Sequence, residues 1–568
     1  MSEVALDATA ARDAFAAVSS SVPSLTTSPK LDELRRFLTA NGFLRDDPRF
    51  NDVFSMADAA PASPESPPIS PSLGSGAPKR SISQAHSVPL AADVVGRAFA
   101  GTLAIPDFQH FANGVKSIFE DIAKQPTVGS VASYIPQLAS VDPGLFAVSF
   151  CSVDGQRFNL GDSNVDFSIQ SCCKPVSYSI ALEELGATKV HKHIGREPSG
   201  KAFNHMSLLD QKGSRVPHNP MINAGAIMSS SLIQMGNPLY KRFSKVSKVW
   251  TQLFGGKRIS FNNSIYLSEK ETADRNYALA YNMKEAGAFP EGTDITETLE
   301  FYFQCCSLEA DTNRMAIMAA TYANGGVCPL TGETVFEANT VRNCLSLMAS
   351  CGMYDYSGEW NFSIGLPAKS GVSGALWVVV PDVGGFCCYS PCIDSIGNSR
   401  RAVEFFKALS ATYAFHLLEP ARLRGLKHDP TMTPAVKSGV MKGVVDTQRA
   451  LSGRIHSSSS SGSSSTSGGE DTLVAAIPSL VIANPVQLRK EPNSASSDGL
   501  MPERMFPSPA KSPIRHASDA SLLSRASSQA RHSIGGVAMA ERAKSKDRFR
   551  QSVIGFFNRR EDEDRASR

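Results

Sequence analysis

The sequence predicts an α/β protein of the α+β kind, with one antiparallel sheet assembled from both ends of a central body and helices inserted between. Three observations predict it. All 11 Cys, 3 Trp and 12 Tyr of the 568-residue chain lie between Tyr134 and Tyr413, so one folded body sits within a longer chain poor in core residues. Strand signals occur at the two ends of that body, and helical periodicity fills its middle, an order that opposes a repeating βαβ wheel.

Taken in order, Leu31, Leu34, Phe37 and Leu38 recur at helical spacing before Gly42, which predicts a short amphipathic helix. Residues 60–89 are rich in Pro, Ser and Gly and bury too little apolar surface to offset their ordering entropy, so a disordered insertion is expected there. Helical spacing resumes over Val94–Phe99 and Phe108–Ala123. Leu145–Ser152 and Gln156–Leu160 flank Asp154-Gly155, a hairpin signal. Helices are expected over Ser171–Leu185 ahead of Gly186, Asn313–Ala323 ahead of Gly325, and Thr340–Ser350 ahead of Gly352. Gly374–Val380 and Gly385–Tyr389 are expected strands, and Arg401–Leu418 a closing helix. The resulting division is a disordered 1–30, a small helical region 31–112 interrupted by the insertion, a body 113–420, and a mostly disordered Ser/Arg/Pro-rich tail 421–568.

Charge and composition exclude several functions. A net charge of +3 opposes a strongly basic nucleic-acid binder, and no run reaches the ~18 apolar residues of a membrane span. The cysteines form no CxxC pair and are expected as reduced, buried thiols. His191 and His193 are expected at the surface rather than on a metal, and neither a metal nor a cofactor is expected. The first thirty residues lack an apolar signal core and an Arg-rich, acid-poor transit pattern, so a cytoplasmic location is preferred over a mitochondrial one.

Two spacings carry chemistry. Ser171 and Lys174 stand three apart at a helix start, on one face, where a neutral lysine can take the serine proton as the oxygen attacks a carbonyl. The spacing alone is unspecific, because Ser508 and Lys511 repeat it in the tail. Lys369-Ser370-Gly371 precedes the strand GALWVVV, and a Ser-x-x-Lys helix facing a Lys-Ser/Thr-Gly strand is the pattern of serine β-lactamases, although Ser-Asp-Asn is absent.

The ordered runs SYIPQLA, DGQRF, IQSCCKP, EPSG, PHNPMINAGAI, SEKETADRN, FPEGTD, FYFQ, ANGG, SCGMYDYSG and GLPAKSGVSG resemble the serine-dependent glutaminases, the kidney-type and liver-type animal enzymes in particular, from about Tyr134 to Gly374. The resemblance implies a serine β-lactamase-like fold, with helices on both faces of the sheet and a helical subdomain. It implies hydrolysis of L-glutamine to L-glutamate and ammonia without a cofactor. It also implies Ser171 as nucleophile, Lys174 as its base, and Tyr354 and Tyr302 as active-site tyrosines. Tyr134, Asn223, Glu269 and Asn276 would hold the ligand's α-carboxylate and α-amine, and the N–H groups of Val372 and Ser171 would form the oxyanion hole. Singly, these tyrosines would pass for half-buried core residues, the asparagines for turns or caps, and Glu269 for a solvated charge. As a set they suit a zwitterion whose amide must be attacked. Another serine hydrolase of this fold, and a non-catalytic scaffold with regulatory tails, are the alternatives.

The chain also departs from the family. Asn282 follows Tyr281 where the animal enzymes carry two aromatics, and His205, Met206 and Ser207 alter the loop that serves the family as an activation switch. The ankyrin repeats are missing. The N-terminal helices resemble the family's EF-hand-like region, but without a DxDxDG loop no calcium is expected. Arg515-to-Ser518, Arg525-to-Ser528 and Arg550-to-Ser552, with Ser508-Pro and Ser512-Pro, resemble kinase targets. The basic stretch 541–560, with Phe549, Phe556 and Phe557, resembles a surface-binding helix. A homotetramer is the assembly the resemblance implies.

Overall fold

The computed structural model describes residues 29–55, 84–211 and 213–432. The expectations for residues 1–28, 56–83 and 433–568, among them the kinase targets and the basic stretch, lie outside the described residues.

Five strands form the main sheet: β1 (Ala147–Ser152), β2 (Arg157–Gly161), β3 (Ala368–Ser370), β4 (Ala375–Val380) and β5 (Gly384–Tyr389), in the order β2-β1-β5-β4-β3 with every neighbour antiparallel. Both ends of the body thus meet in one sheet. The near-continuous apolar text of β4 follows from burial of both faces. Ala375, Trp377 and Val379 enter one core while Leu376, Val378 and Val380 enter the other, and Cys387 and Tyr389 alternate with Phe386 and Cys388 in the same way along β5.

Four helices position these cores: α1 (Phe108–Ala123), α2 (Lys174–Leu185), α3 (Thr312–Ala323) and α4 (Arg400–Thr412). Helices α1 and α4 cover one face, where Phe111, Phe386, Phe406 and Phe415 pack edge to face. The other face carries α2, α3 and the helical insert. Helix α3 is buried on all sides, which explains its AIMAA text. It lies so close to β5 that a Cβ on Gly385 would stand 2.4 Å from backbone atoms of Ala319 and Ala320. Helix α1 crosses the division expected after residue 112, with Phe108, Phe111, Val115 and Ile122 all buried against the sheet.

The N-terminal helices Pro29–Ala40 and Gln84–Phe99 share their own small core of Leu38, Phe43, Phe50, Val53, Phe54, Ala91, Val94, Val95 and Leu103. The second helix begins at Gln84, inside the stretch expected to be unstructured up to Pro89. Helix α4 stops at Thr412 rather than Leu418. Tyr413 turns extended, with φ −109° and ψ 147°, and its ring packs 5.2 Å from that of Phe111. Among the described residues no helix is long and apolar enough to cross a membrane.

Candidate active site

Local devices fix the turn that carries Ser171. The two-residue strand Phe167–Ser168 pairs with Leu308–Ala310, and the Ile169 N–H continues the ladder to the Leu308 carbonyl at 2.9 Å. Gln170 then takes φ +46°, a left-handed conformation disfavoured for a side chain of its size, and swings the chain into the 3-10 turn Gln170–Cys173 that runs into α2. Pro175 sits in the first turn of α2, where its missing N–H costs nothing. Opposite, the chain leaving β3 presses against the same turn. A Cβ on Gly371 would stand 3.1 Å from both the Cys172 sulfur and the Ile169 carbonyl oxygen, so a side chain there would force the two apart.

Three hydrogen-bonded groups surround Ser171. In the first, the Tyr354 hydroxyl donates to the Ser370 carbonyl at 3.0 Å and pairs with the Ser171 hydroxyl; Tyr354 itself has φ +54°. In the second, Lys174 Nζ donates to Asn223 Oδ1 at 2.7 Å, and Asn223 Nδ2 donates to Asn276 Oδ1 at 3.1 Å. In the third, Glu269 Oε1 accepts from the Tyr134 hydroxyl at 2.6 Å and from Gln170 Nε2 at 2.9 Å. Tyr134 is 45% exposed as a residue, yet its hydroxyl end is enclosed by these partners.

Electrostatics separate these groups. Lys174 is fully buried, and desolvation pushes its ammonium below the usual lysine range. Lys369, also fully buried, is pushed down by desolvation and then by the charge of Lys174. Burial raises the Glu269 carboxyl, against the hydrogen bonds from Tyr134 and Gln170 that favour its ionised form. Burial likewise holds Tyr302 and Tyr354 well above the ordinary phenol range, so both are neutral donors. Such a site offers two desolvated amines, one carboxylate, neutral amides and phenols, and a hydroxyl on a tight turn.

Eight of the nine residues the sequence singles out lie in this cluster. Ser171, Lys174, Tyr354, Tyr134, Asn223, Glu269 and Asn276 are divided among the three bonded groups above, and Tyr302 is hydrogen-bonded to Cys306, with Cys173 and Glu269 near enough to act on its phenol. Val372 stands beside Tyr354 across Gly397, where a Cβ would lie 3.6 Å from the one and 3.5 Å from the other. Two further residues have no sequence signal of their own. Gln170 fixes both the turn and Glu269. Phe203, in the loop after EPSG, lies with its ring centroid 4.8 Å from that of Tyr354 and 5.9 Å from Lys174 Nζ. Asn282 holds that loop by donating to the Met206 carbonyl at 2.8 Å, so two departures from the family pattern are bonded to each other.

His191 is buried rather than at the surface. Its ring nitrogens are paired with the Tyr178 hydroxyl and the Ile194 carbonyl, both at 2.9 Å, which satisfies the imidazole inside the core. All 11 cysteines are free and buried. Burial raises the thiols of Cys151, Cys172, Cys305, Cys344 and Cys387, which keeps them protonated.

Comparisons with known proteins converge on one family. The glutaminase family model matches residues 129–418, which contain every residue of the cluster. The mitochondrial liver isoform of glutaminase from Mus musculus is 45% identical over 393 residues, covering 69% of this chain and 63% of that protein, so the chain spans less than two thirds of that relative. A glutaminase from Microcystis aeruginosa is 38% identical over 330 residues and is covered to 95% of its length. Among solved structures, Mglu in its glutamate form superposes with a TM-score of 0.51 at 33% identity, over 55% of this chain and 70% of that one. The serine β-lactamase-like fold expected from the motifs is therefore the fold of the body, and the chain belongs to the glutaminase family.

Proposed function

We propose that the chain hydrolyses L-glutamine to L-glutamate and ammonia through a glutamyl-enzyme ester. One observation carries the reading: a serine on a tight turn stands with a desolvated lysine and a neutral tyrosine beside a carboxylate held by two donors. Ser171 Oγ would attack the amide carbon as its proton passes to Lys174, with the oxyanion taken by the N–H groups of Ser171 and Val372. The carbon–nitrogen bond then breaks as Tyr354 passes a proton to the departing ammonia and recovers one from Lys174. Water then attacks the ester carbon as its proton passes to Lys174, and that proton is returned to Ser171 Oγ as glutamate leaves. Glu269 would pair with the substrate ammonium, while Tyr134, Asn223, Asn276 and Tyr302 hold the carboxylate and orient the chain. The likeness to Mglu in its glutamate form supports the product assignment.

Ammonia release from L-glutamine tests this reading. The wild type is active, and Ser171→Ala lowers kcat by at least ~10³-fold. Activity retained in Ser171→Ala would assign the chemistry to another residue, and an inactive wild type would favour the scaffold reading. The homotetramer is tested by light scattering, kinase action on the tail by phosphate incorporation at Ser518, Ser527 and Ser552, and cytoplasmic or mitochondrial placement by imaging the chain with its N-terminus free.

A further inference from the structure

Lys369 is a buried lysine beside the cluster that has no place in the reaction above. It projects from β3, is fully buried, and donates from Nζ to the Ser370 carbonyl at 2.6 Å. The same carbonyl accepts the Tyr354 hydroxyl, and Nζ lies 4.5 Å from the centroid of the Tyr354 ring. Both contacts suit an ammonium. A ring face attracts a cation and repels the lone pair of a neutral amine. Lys174 is seated differently. Among the described residues it donates to Asn223 Oδ1 and has the Phe203 ring 5.9 Å away. Desolvation and then the Lys174 charge push Lys369 the lower of the two, to about 7 against about 8, and it is the closer ring and the shared carbonyl that favour the cation on Lys369.

The groups facing Lys369 are Lys174 from α2, Cys172 and Cys173 from the 3-10 turn, Cys306 from the helix Ile295–Cys306, and Tyr354. Burial raises the Cys172 thiol and the Tyr354 phenol, and the hydrogen bond with Cys173 followed by burial raises the Cys306 thiol, which holds these three groups in their neutral forms. Glu269, the carboxylate of the site, is engaged by Tyr134 and Gln170, and among the described residues it forms no ion pair with either lysine, so two ammonium groups here would lack a directly paired anion.

We propose that Lys369 is a positioning residue for the Ser171–Lys174 pair: the two buried lysines hold one proton between them, and Lys369, seated on the Tyr354 ring and the Ser370 carbonyl, keeps it. Lys174 is thereby left as the free amine. The inference rests on the glutaminase reading. When Ser171 attacks, its proton moves to Lys174 while the amide oxygen gains a negative charge. The transfer adds one cation at Lys174 and one anion at the amide oxygen, so the net charge of the site, Glu269 and the zwitterionic substrate included, does not change. The cation on Lys369 also fixes the Tyr354 ring, and with it the hydroxyl that pairs with Ser171.

The test is the pH profile of kcat/KM for ammonia release by the full chain, which reports ionisations of the free enzyme. With Lys369→Met the remaining lysine takes the proton, so the acid limb moves up by about one pH unit or more; kcat/KM falls ~10-fold at neutral pH and recovers to within ~3-fold at alkaline pH. Lys369→Arg retains the charge and leaves the limb in place. A purely structural role for Lys369 lowers activity equally at all pH values, and an unmoved limb in a folded Lys369→Met overturns the proposal. Where neither variant folds, 13Cε-lysine NMR of the unaltered chain decides: at least one lysine titrates between about pH 6 and 9, and titration of every lysine near ~10.4 excludes a shared proton. A wild type without glutaminase activity fails the functional reading, whereas an active wild type with an unmoved limb fails only this one.

Discussion

Glu269 shows how a single residue changes meaning once its partners are visible. In the sequence it is one of many carboxylates; in the structure it is buried, with two donors on one oxygen and its carboxyl raised by desolvation. Glutamine binding by an ion pair requires the ionised form. Because burial raises the carboxyl, that form is lost at a higher pH than for an ordinary carboxylate as the solution is acidified. KM therefore rises on the acid side at a higher pH than an ordinary carboxylate would give. Glu269→Gln removes the charge but keeps an acceptor for Tyr134, and is expected to raise KM by ~10²-fold and remove that acid-side rise. Steady-state kinetics across pH read both effects; an unchanged KM would place the substrate ammonium elsewhere. Gln170 escapes any such reading from sequence, because its left-handed backbone is imposed by the strand before it and the helix after it rather than by its own residue type.

At the scale of elements, the strands and the longest helices are legible because their burial is periodic. Gly374–Val380 and Gly385–Tyr389 are expected and Ala375–Val380 and Gly384–Tyr389 observed, since alternation between two cores leaves only apolar residues. Helix ends are less legible where tertiary contacts decide them: Tyr413 leaves the helical path to pack on Phe111 although Ala414 to Leu418 remain compatible with a helix. His191 is misjudged for the same reason, since its partners Tyr178 and the Ile194 carbonyl are assembled only in the folded body. The glycine pair that opens β5 carries information that composition does not. Gly385→Ala would place a methyl against the backbone of α3, which cannot move away because all its sides are packed. The expected cost is ~1–3 kcal/mol or more, read as a lowered urea midpoint with an unchanged m-value. A change within ~0.5 kcal/mol would show that α3 yields easily.

For the whole molecule, the informative feature is how the N-terminal helices meet the body. Asp154-Gly155 is legible as a hairpin turn, but the turn is also a docking point. Asp154 accepts from Arg97 at 2.5 Å and from the Ala104 N–H at 2.6 Å, its carbonyl accepts from Arg49 at 2.9 Å, and the Arg157 N–H reaches the Gly42 carbonyl at 2.7 Å. Arg49 is fully enclosed and forks onto both oxygens of Asp47, itself fully buried. A buried pair of this kind adds little over an apolar pair of equal volume, yet removing one partner strands the other charge. Arg49→Met should therefore cost ~3–5 kcal/mol by leaving the Asp47 carboxylate unpaired, whereas adding Asp47→Leu to it should return most of that loss. Urea unfolding of wild type, single and double variants measures the difference, and a double variant as unstable as the single one would show that the pair acts through shape rather than charge. Among the described residues no hydrogen bond or ion pair of this network reaches a residue of the Ser171 cluster, so folded Arg49→Met should keep the wild-type kcat for ammonia release. A fall in kcat at low temperature, with the variant still folded by circular dichroism, would mean that docking of the N-terminal helices is transmitted through the β1–β2 hairpin to the site.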